Sequence, residues 1–356
     1  MEAARESTLY DYYTSAATST SDLRPIMTSL NGDNSWLLSF PRLAAERSQT
    51  GKVYYHIVFE PWLDGPTGYF SSWFIHIQQL TTSAVPDAQG VYAVAQQIEK
   101  LAKAALGMPS SAEDKALEDE EAHRFVDAIL LGFHYSDHVH ETTLRLFDPS
   151  IPVFATPEAI SIIKPWNHFT TVNSIASMSA PAKSWRAPEL HPGGTFPSWL
   201  SPVRLLGHHE LNYVLALVWT HAGPDGGQIH EAILQTPHGT KLDEGPLQNF
   251  LDSEPEVTKL AMLHGLKESH AMGSMNTLGA EGGVKLWRRI GGARYWVLSH
   301  HSSLSYSGIV MRLLRVTDTP RTIEWALQRE EEQGVVKERE KPNVIEVENG
   351  GSFVLV

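Results

Sequence analysis

Seventeen histidines stand in this chain of 356 residues, which has no cysteine. Many of them fall in four short groups. The first is Gly132-Phe-His134-Tyr-Ser-Asp137-His138-Val-His140, and the second is Leu206-Gly207-His208-His209-Glu210. The others are Thr236-Pro237-His238-Gly239 and Leu298-Ser299-His300-His301-Ser302. Imidazole nitrogens beside a carboxylate suit Zn²⁺, Mn²⁺ or Fe²⁺ without any sulfur ligand. Imidazole is also the side chain that most readily moves protons near neutral pH. A single histidine is more often a hydrogen-bonded structural group. Four groups, two of them His-His pairs, point instead to a shared site.

Elements of regular structure must carry these groups, and each group follows a strand-like run. Phe125–Gly132 is almost continuously apolar, as in a strand buried on both faces. Val203–Leu206, Tyr213–Thr220 and Ile229–Thr236 read as strands, as do Val257–His264 and Ala293–Ser299. Upstream, Asn34–Phe40 and Lys52–Phe59 read as paired strands, and Ile151–Ala155 as a short buried one. Helices are expected at Val91–Leu106, Glu141–Phe147, Gly282–Ile290, Ile309–Arg315 and Ile323–Gln333. Another runs to Lys164, opened by Thr156-Pro157-Glu158 as cap, Pro at the first position and an acid in the first turn. The acidic run 110–121 reads as solvated surface, and residues 1–25, rich in Ser, Thr and Ala, as a loose arm. Residues 26–356 read as a single α/β domain, ending from about 320 in a helix and a strand pair. Each half has strands followed by helices, which suits a four-layer αββα sandwich.

Composition closes off several classes. Without cysteine there is no disulfide framework, no thiolate nucleophile and no sulfur-built metal site. A formal charge of −13 with no basic block makes the chain a poor candidate for general nucleic-acid binding. The longest apolar run, Leu211–Trp219, is about half of what a membrane span needs, and the N-terminus shows no apolar signal core. A cytoplasmic setting with a small-molecule substrate, and with no nucleic-acid or membrane partner, is the expectation. There is no P-loop, dinucleotide fingerprint or Gly-x-Ser-x-Gly elbow.

Several further stretches carry a resemblance: Ser35–Leu43, Glu60-Pro-Trp-Leu63, Asp137-His138, Pro152–Pro157, Gly207-His208-x-Glu210, Leu263-His264-Gly265 and Ser299-His300. Over roughly 26–356 the chain resembles the metallo-β-lactamase fold superfamily, and in particular filamentous-fungal metallo-β-lactamase-like proteins. That family's motif is His-x-His-x-Asp-His, followed by a Gly-His, a bridging Asp and a C-terminal His. The resemblance places Asp137 and His138 at Asp-His, His208 at Gly-His and His300 at the C-terminal His. His238 stands near the bridging carboxylate. The two leading histidine positions hold Phe133 and Tyr135, and His134 is one residue out of register, so the motif is degenerate.

The resemblance implies a metal-dependent hydrolase acting on a small ester, lactone or thioester of a polyketide-like or lipid-like substrate. Asp137, His138, His208, His238 and His300 would hold the metal, and Asp137, His140 and His134 would move protons. One Zn²⁺ is expected, with Mn²⁺ or Fe²⁺ as alternatives, or no metal at all. The lost leading histidines keep open a non-hydrolytic enzyme of secondary metabolism, such as a cyclase, isomerase, dehydratase or decarboxylase. A non-catalytic binding protein is the third reading. Plainer roles stand beside these. Asp137 could cap a helix beginning near His138, His264 could be a satisfied core histidine, and Glu60 reads as structural.

Overall fold

The computed structural model describes residues 2–15, 23–69, 71, 73–109, 122–179, 184–207, 209–243, 245–334 and 340–356. The acidic run 110–121 and His208 lie outside them. The α/β class is borne out. The chain divides into two compact units: residues 1–64, 81–174 and 347–356, and residues 65–80 and 175–346.

In chain order the first unit opens with α1 (Glu2–Ser15), β1 (Ile26–Ser29), β2 (Trp36–Pro41), α2 (Ala44–Thr50) and β3 (Tyr54–Phe59). The second unit then takes β4 (Thr67–Tyr69) and β5 (Ile75–Gln79). The first unit resumes with α3 (Ala88–Ala105), β6 (Ala128–Leu131), α4 (Glu141–Leu144), β7 (Val153–Ala155), α5 (Pro157–Ile163) and β8 (Val172–Ser174). The second continues with β9 (Ser177–Met178), β10 (Leu200–Leu206), β11 (Tyr213–Ala222), β12 (Gln228–Gln235), α6 (Gly245–Leu251) and β13 (Thr258–Leu263). After these come β14 (Glu268–Ala271), β15 (Ser274–Leu278), α7 (Gly279–Arg289), β16 (Tyr295–Val297) and β17 (Leu304–Ser307). The last are α8 (Ile309–Leu314), β18 (Thr317–Thr319), α9 (Ile323–Glu332), β19 (Val344–Ile345) and, back in the first unit, β20 (Ser352–Val354).

In the first unit a seven-stranded sheet runs β20-β1-β2-β3-β6-β7-β8. Its β20-to-β3 side is antiparallel, and β3, β6, β7 and β8 are parallel. The strand from Phe125–Gly132 shortens to β6, and all four of its residues are buried. Helix α3 lays Val91, Tyr92, Val94, Ala95, Ile98 and Ala102 against this sheet. Asp87 caps α3 by accepting from Gly90 N, and Thr156 caps α5 as expected. Glu99, on the buried face of α3, accepts from the backbone N–H groups of Val53 and Tyr54. Its carboxylate thus pins the start of β3.

The segment read as a loose arm holds α1. Leu9 and Tyr13, one turn apart, are buried, the Tyr13 hydroxyl meets that of Tyr54 at 3.1 Å, and Arg5 donates to Gln97 and to Gly350 O. Its apolar stripe is too thin to show in the sequence. Tertiary docking forms the helix, not local propensity.

In the second unit the sheet runs β19-β16-β13-β12-β11-β10-β9. Here β19, β16, β13 and β12 are parallel, and β12-β11-β10 is an antiparallel meander. Two small sheets, β15-β14-β18 and β17-β5-β4, complete this unit. The expected C-terminal strand pair does not form: β19 joins β16, and β20 joins β1 in the other unit. Helix α7 lies close enough to the sheet that a Cβ on Gly283 would sit 2.4 Å from His264 and from the Trp296 ring. Both neighbours are fully buried. Gly283→Ala is expected to cost about 1–3 kcal/mol by overpacking, seen as a lower urea midpoint. An unchanged midpoint would mean that the helix can step away from Trp296.

Candidate functional site

Three of the histidine groups follow strands with parallel partners, β6, β12 and β16, at ends where loops are held by a rigid sheet. In the first unit, β3 and β6 are parallel neighbours, with Phe59 opposite Leu130. The residue after β3, Glu60, therefore meets the loop after β6. Glu60 N donates to Leu130 O, and the carboxylate oxygen Oε1 accepts from Gly132 N at 3.1 Å. Its other oxygen, Oε2, accepts from His138 Nδ1 at 2.7 Å. Both side chains are fully buried.

The sequence left Glu60 as a structural turn residue, but the structure makes it the group that holds His138. Its φ is +45°, in the left-handed region that a non-glycine residue rarely adopts. An acid rather than Gly at such a turn, between an apolar strand and Pro61, was the available sequence signal.

A carboxylate on one imidazole nitrogen fixes the ring's tautomer and orientation and directs the other nitrogen outward, as metal-bound histidines require. His138 Nε2 lies 3.6 Å from Asp137 Oδ2. Asn34 sits over the same ring, its Nδ2 3.4 Å from His138 Nδ1 and 3.5 Å from Asp137 O. Burial on its own would keep this ring neutral. The charges of Glu60, Asp137 and Asp33 and the Glu60 hydrogen bond outweigh it and push the pKa up to about 9.

Residues 132–140 form a loop rather than a strand, so strand alternation does not set the direction of His134. His134 packs edge-on against both Phe133 and Tyr135, whose rings also meet each other. Asp137 does not cap the following helix. That cap position belongs to His140, which makes no side-chain cap bond. Instead His140 Nδ1 meets Thr143 Oγ1 at 2.8 Å, and Thr143 Oγ1 accepts from Leu63 N. His140 thereby ties the turn to the end of the Glu60-Pro-Trp-Leu63 stretch.

In the second unit, β12, β13 and β16 are consecutive parallel strands, and they deliver His238, His264 and His300. His238 Nδ1 meets Thr277 Oγ1 at 2.9 Å. The His238 and His300 rings are 4.8 Å apart and perpendicular. His300 has φ +54°, a second non-glycine residue in the left-handed region. Gly265 makes room for that backbone, since a Cβ there would stand 2.8 Å from His300 O.

The neighbouring histidines are structural. His264 is fully buried, with Nδ1 2.7 Å from Thr236 O and Nε2 3.0 Å from Gly279 O. Both its nitrogens face backbone carbonyls, so neither serves a ligand. His301 Nδ1 accepts from Leu266 N, and His209 Nδ1 accepts from Leu211 N in an exposed turn. Elsewhere Ser39 Oγ, His56 and Glu99 line up, at 2.8 Å and 3.3 Å. This triad-like row is wholly buried, and Glu99 is committed to the β3 backbone. It holds the fold and reaches no substrate.

No family model matches the chain, and no curated protein matches it. Among solved structures it is similar to the isothiocyanate hydrolase from Delia radicum gut bacteria, at 13% identity over 92% of this chain and 98% of that one, TM-score 0.47. It is also similar to a possible metal-dependent hydrolase from Veillonella parvula, at 12% identity over 93% and 99%, TM-score 0.44. A third is the metallo-beta-lactamase fold protein YhfI from Bacillus subtilis, at 10% identity over 93% and 99%, TM-score 0.40. Likeness at this level transfers no residue role, substrate or activity.

Two predictions follow from the geometry. Glu60→Gln removes the charge that outweighs burial, so His138 in metal-free protein is expected to titrate well below 9 by NMR. A value unchanged near 9 would assign the shift to Asp137 and Asp33.

His264 provides the pH test. A neutral ring donates to only one of its two carbonyls, and burial outweighs what a second proton would gain. Its pKa is held below the usual 6.5, with His300 and His301 adding to that. The unfolded ring takes its proton near 6.5, and the folded ring takes it lower. Stability should therefore fall as pH drops below 6.5, by up to about 1.4 kcal/mol per pH unit from this group. Urea unfolding of wild type and His264→Gln between pH 7 and 5 should show a shallower acid loss in the variant. Equal slopes would remove His264 from the account.

Proposed function

We propose that this chain is a metal-dependent hydrolase of the metallo-β-lactamase type. It would act on a small ester, lactone or thioester of an organic substrate. Asp137, His138, His238 and His300 are its metal ligands, with zinc ahead of manganese or iron. The observation that carries this reading is the buried Glu60 carboxylate on His138 Nδ1. Such a pairing is expensive to bury, and metal-bound histidines almost always donate their second ring N–H to a partner of this kind. The donor set fits a divalent ion bound without sulfur, in a chain that has none to offer from cysteine.

When bound, the ion lowers the pKa of a water towards neutrality and polarises the substrate's carbonyl oxygen. The chain's own residues then have distinct tasks. Glu60 holds His138 in one orientation, and Thr277 does the same for His238 through Nδ1. The backbone at His300, accommodated by Gly265, fixes where that imidazole points. Asp137, half-buried where His138 and Glu60 are fully buried, is the proton acceptor for the attacking water, with His134 as a further carrier. His140 is committed to Thr143 and holds the turn.

Elemental analysis of chelator-free protein tests this reading. At least one equivalent of zinc, manganese or iron is expected. His138→Ala and His300→Ala should lose both the metal and hydrolysis of chromogenic esters and lactones. Glu60→Gln should weaken zinc binding roughly 10- to 100-fold, as loss of an orienting partner does. Metal-free protein that still hydrolyses these substrates, or variants that retain full metal, would overturn the proposal.

A further inference from the structure

We propose that the second unit carries a docking surface for anionic lipid, built from α8 and the two turns beside it. The parts are adjacent by hydrogen bonding. Ile309 N and Val310 N, opening α8, donate to Trp73 O and Phe74 O in the turn between β4 and β5. Leu314 O, closing α8, accepts from Met272 N at the tip of the β14-β15 hairpin. The side chains presented there are apolar and unusually bare. Trp73 is 64% exposed, Leu313 72% and Met272 74%, with Ile309 between them at 53%. Large apolar groups gathered at tips mark an interaction surface rather than chance exposure.

Charge selects the occupant. The chain as a whole has 41 acidic residues against 28 basic ones. Yet the sequence segments 65–80, 269–278 and 299–317, in which Trp73, Met272, Ile309 and Leu313 stand, contain no Asp or Glu. Arg312 on α8 and Arg315 at its C-terminal cap are exposed beside the apolar tips. Two acids that border the region are paired, Glu268 with Arg321 and Asp318 with Lys267. A Trp and aliphatic tips flanked by arginines, in an otherwise acidic protein, match an interface of acyl chains beneath anionic headgroups. Trp is suited to that boundary by its apolar body and polar N–H. A second copy of the chain fits less well, because a symmetric pairing of this face would gather the arginines of both copies in one patch whose segments carry no acid to offset them.

The expectation of no membrane partner rested on the want of a spanning segment. No helix among the described residues is long and apolar enough to cross a membrane. A peripheral surface needs none. The inference is also independent of the metal reading, since none of these residues belongs to that site.

Co-sedimentation of the full chain with vesicles tests it. Wild type should bind equimolar phosphatidylcholine–phosphatidylserine vesicles, bind phosphatidylcholine alone far less, and lose binding as salt is raised. Arg312→Glu with Arg315→Glu should weaken binding by roughly thirtyfold or more. Trp73→Ser with Leu313→Ser should abolish it, with circular dichroism unchanged. Three results would overturn the proposal: wild type that ignores anionic vesicles, binding that both variants retain, or a wild-type dimer in sedimentation that the Trp73/Leu313 variant abolishes.

Discussion

The hydrogen bond from His138 to Glu60 is the interaction on which the rest of the first unit's site depends. Two ionisable side chains are taken wholly out of water to make it. Glu60 holds a left-handed backbone to do so, which costs a non-glycine residue on the order of 1–3 kcal/mol. Glycine would relieve that backbone but offer no carboxylate. The strain persists because the surroundings over-determine it: Leu130 O takes the Glu60 N–H, Gly132 N–H takes one carboxylate oxygen, and His138 takes the other. Natural sequences break a local rule of this kind mainly where a site needs it.

Topology explains how residues far apart in sequence arrive together within each unit. Parallel strands put their C-terminal ends on one edge. In the first unit β3 and β6 are neighbours, so Glu60 meets His138 across 78 positions of sequence. In the second unit β12, β13 and β16 stand side by side, and His238, His264 and His300 follow in that order. The middle one is spent on holding two loops by their carbonyls, and the outer two face each other. The thioester- or lactone-like chemistry proposed here asks only that these imidazoles be fixed before substrate arrives, and each unit fixes its own.

Most of the strands and helices were legible, because their apolar periodicity agrees with how they pack: β11, β12 and α3 lie within a few residues of the expected bounds. Asp137-His138, His238 and His300 stood out in the sequence as candidate ligands because loops at strand ends tolerate polar residues that cores do not. Among the features that were not legible, three matter most here. Helix α1 has only Leu9 and Tyr13 to declare it, and docking supplies the rest. The destinations of β19 and β20 are set by long-range pairing, which a local reading as one hairpin cannot see. Glu60 was passed over because a lone acid before Pro61 looks like any turn residue. Only the parallel pairing of β3 with β6 reveals what it touches.

The most direct test of the account is a crystal structure of zinc-soaked protein with anomalous data at the zinc edge. The account predicts a zinc peak about 2 Å from His138 Nε2, with Nδ1 still on Glu60. Zinc absent from His138, or a ring turned so that Nδ1 leaves Glu60 to reach the ion, would contradict it.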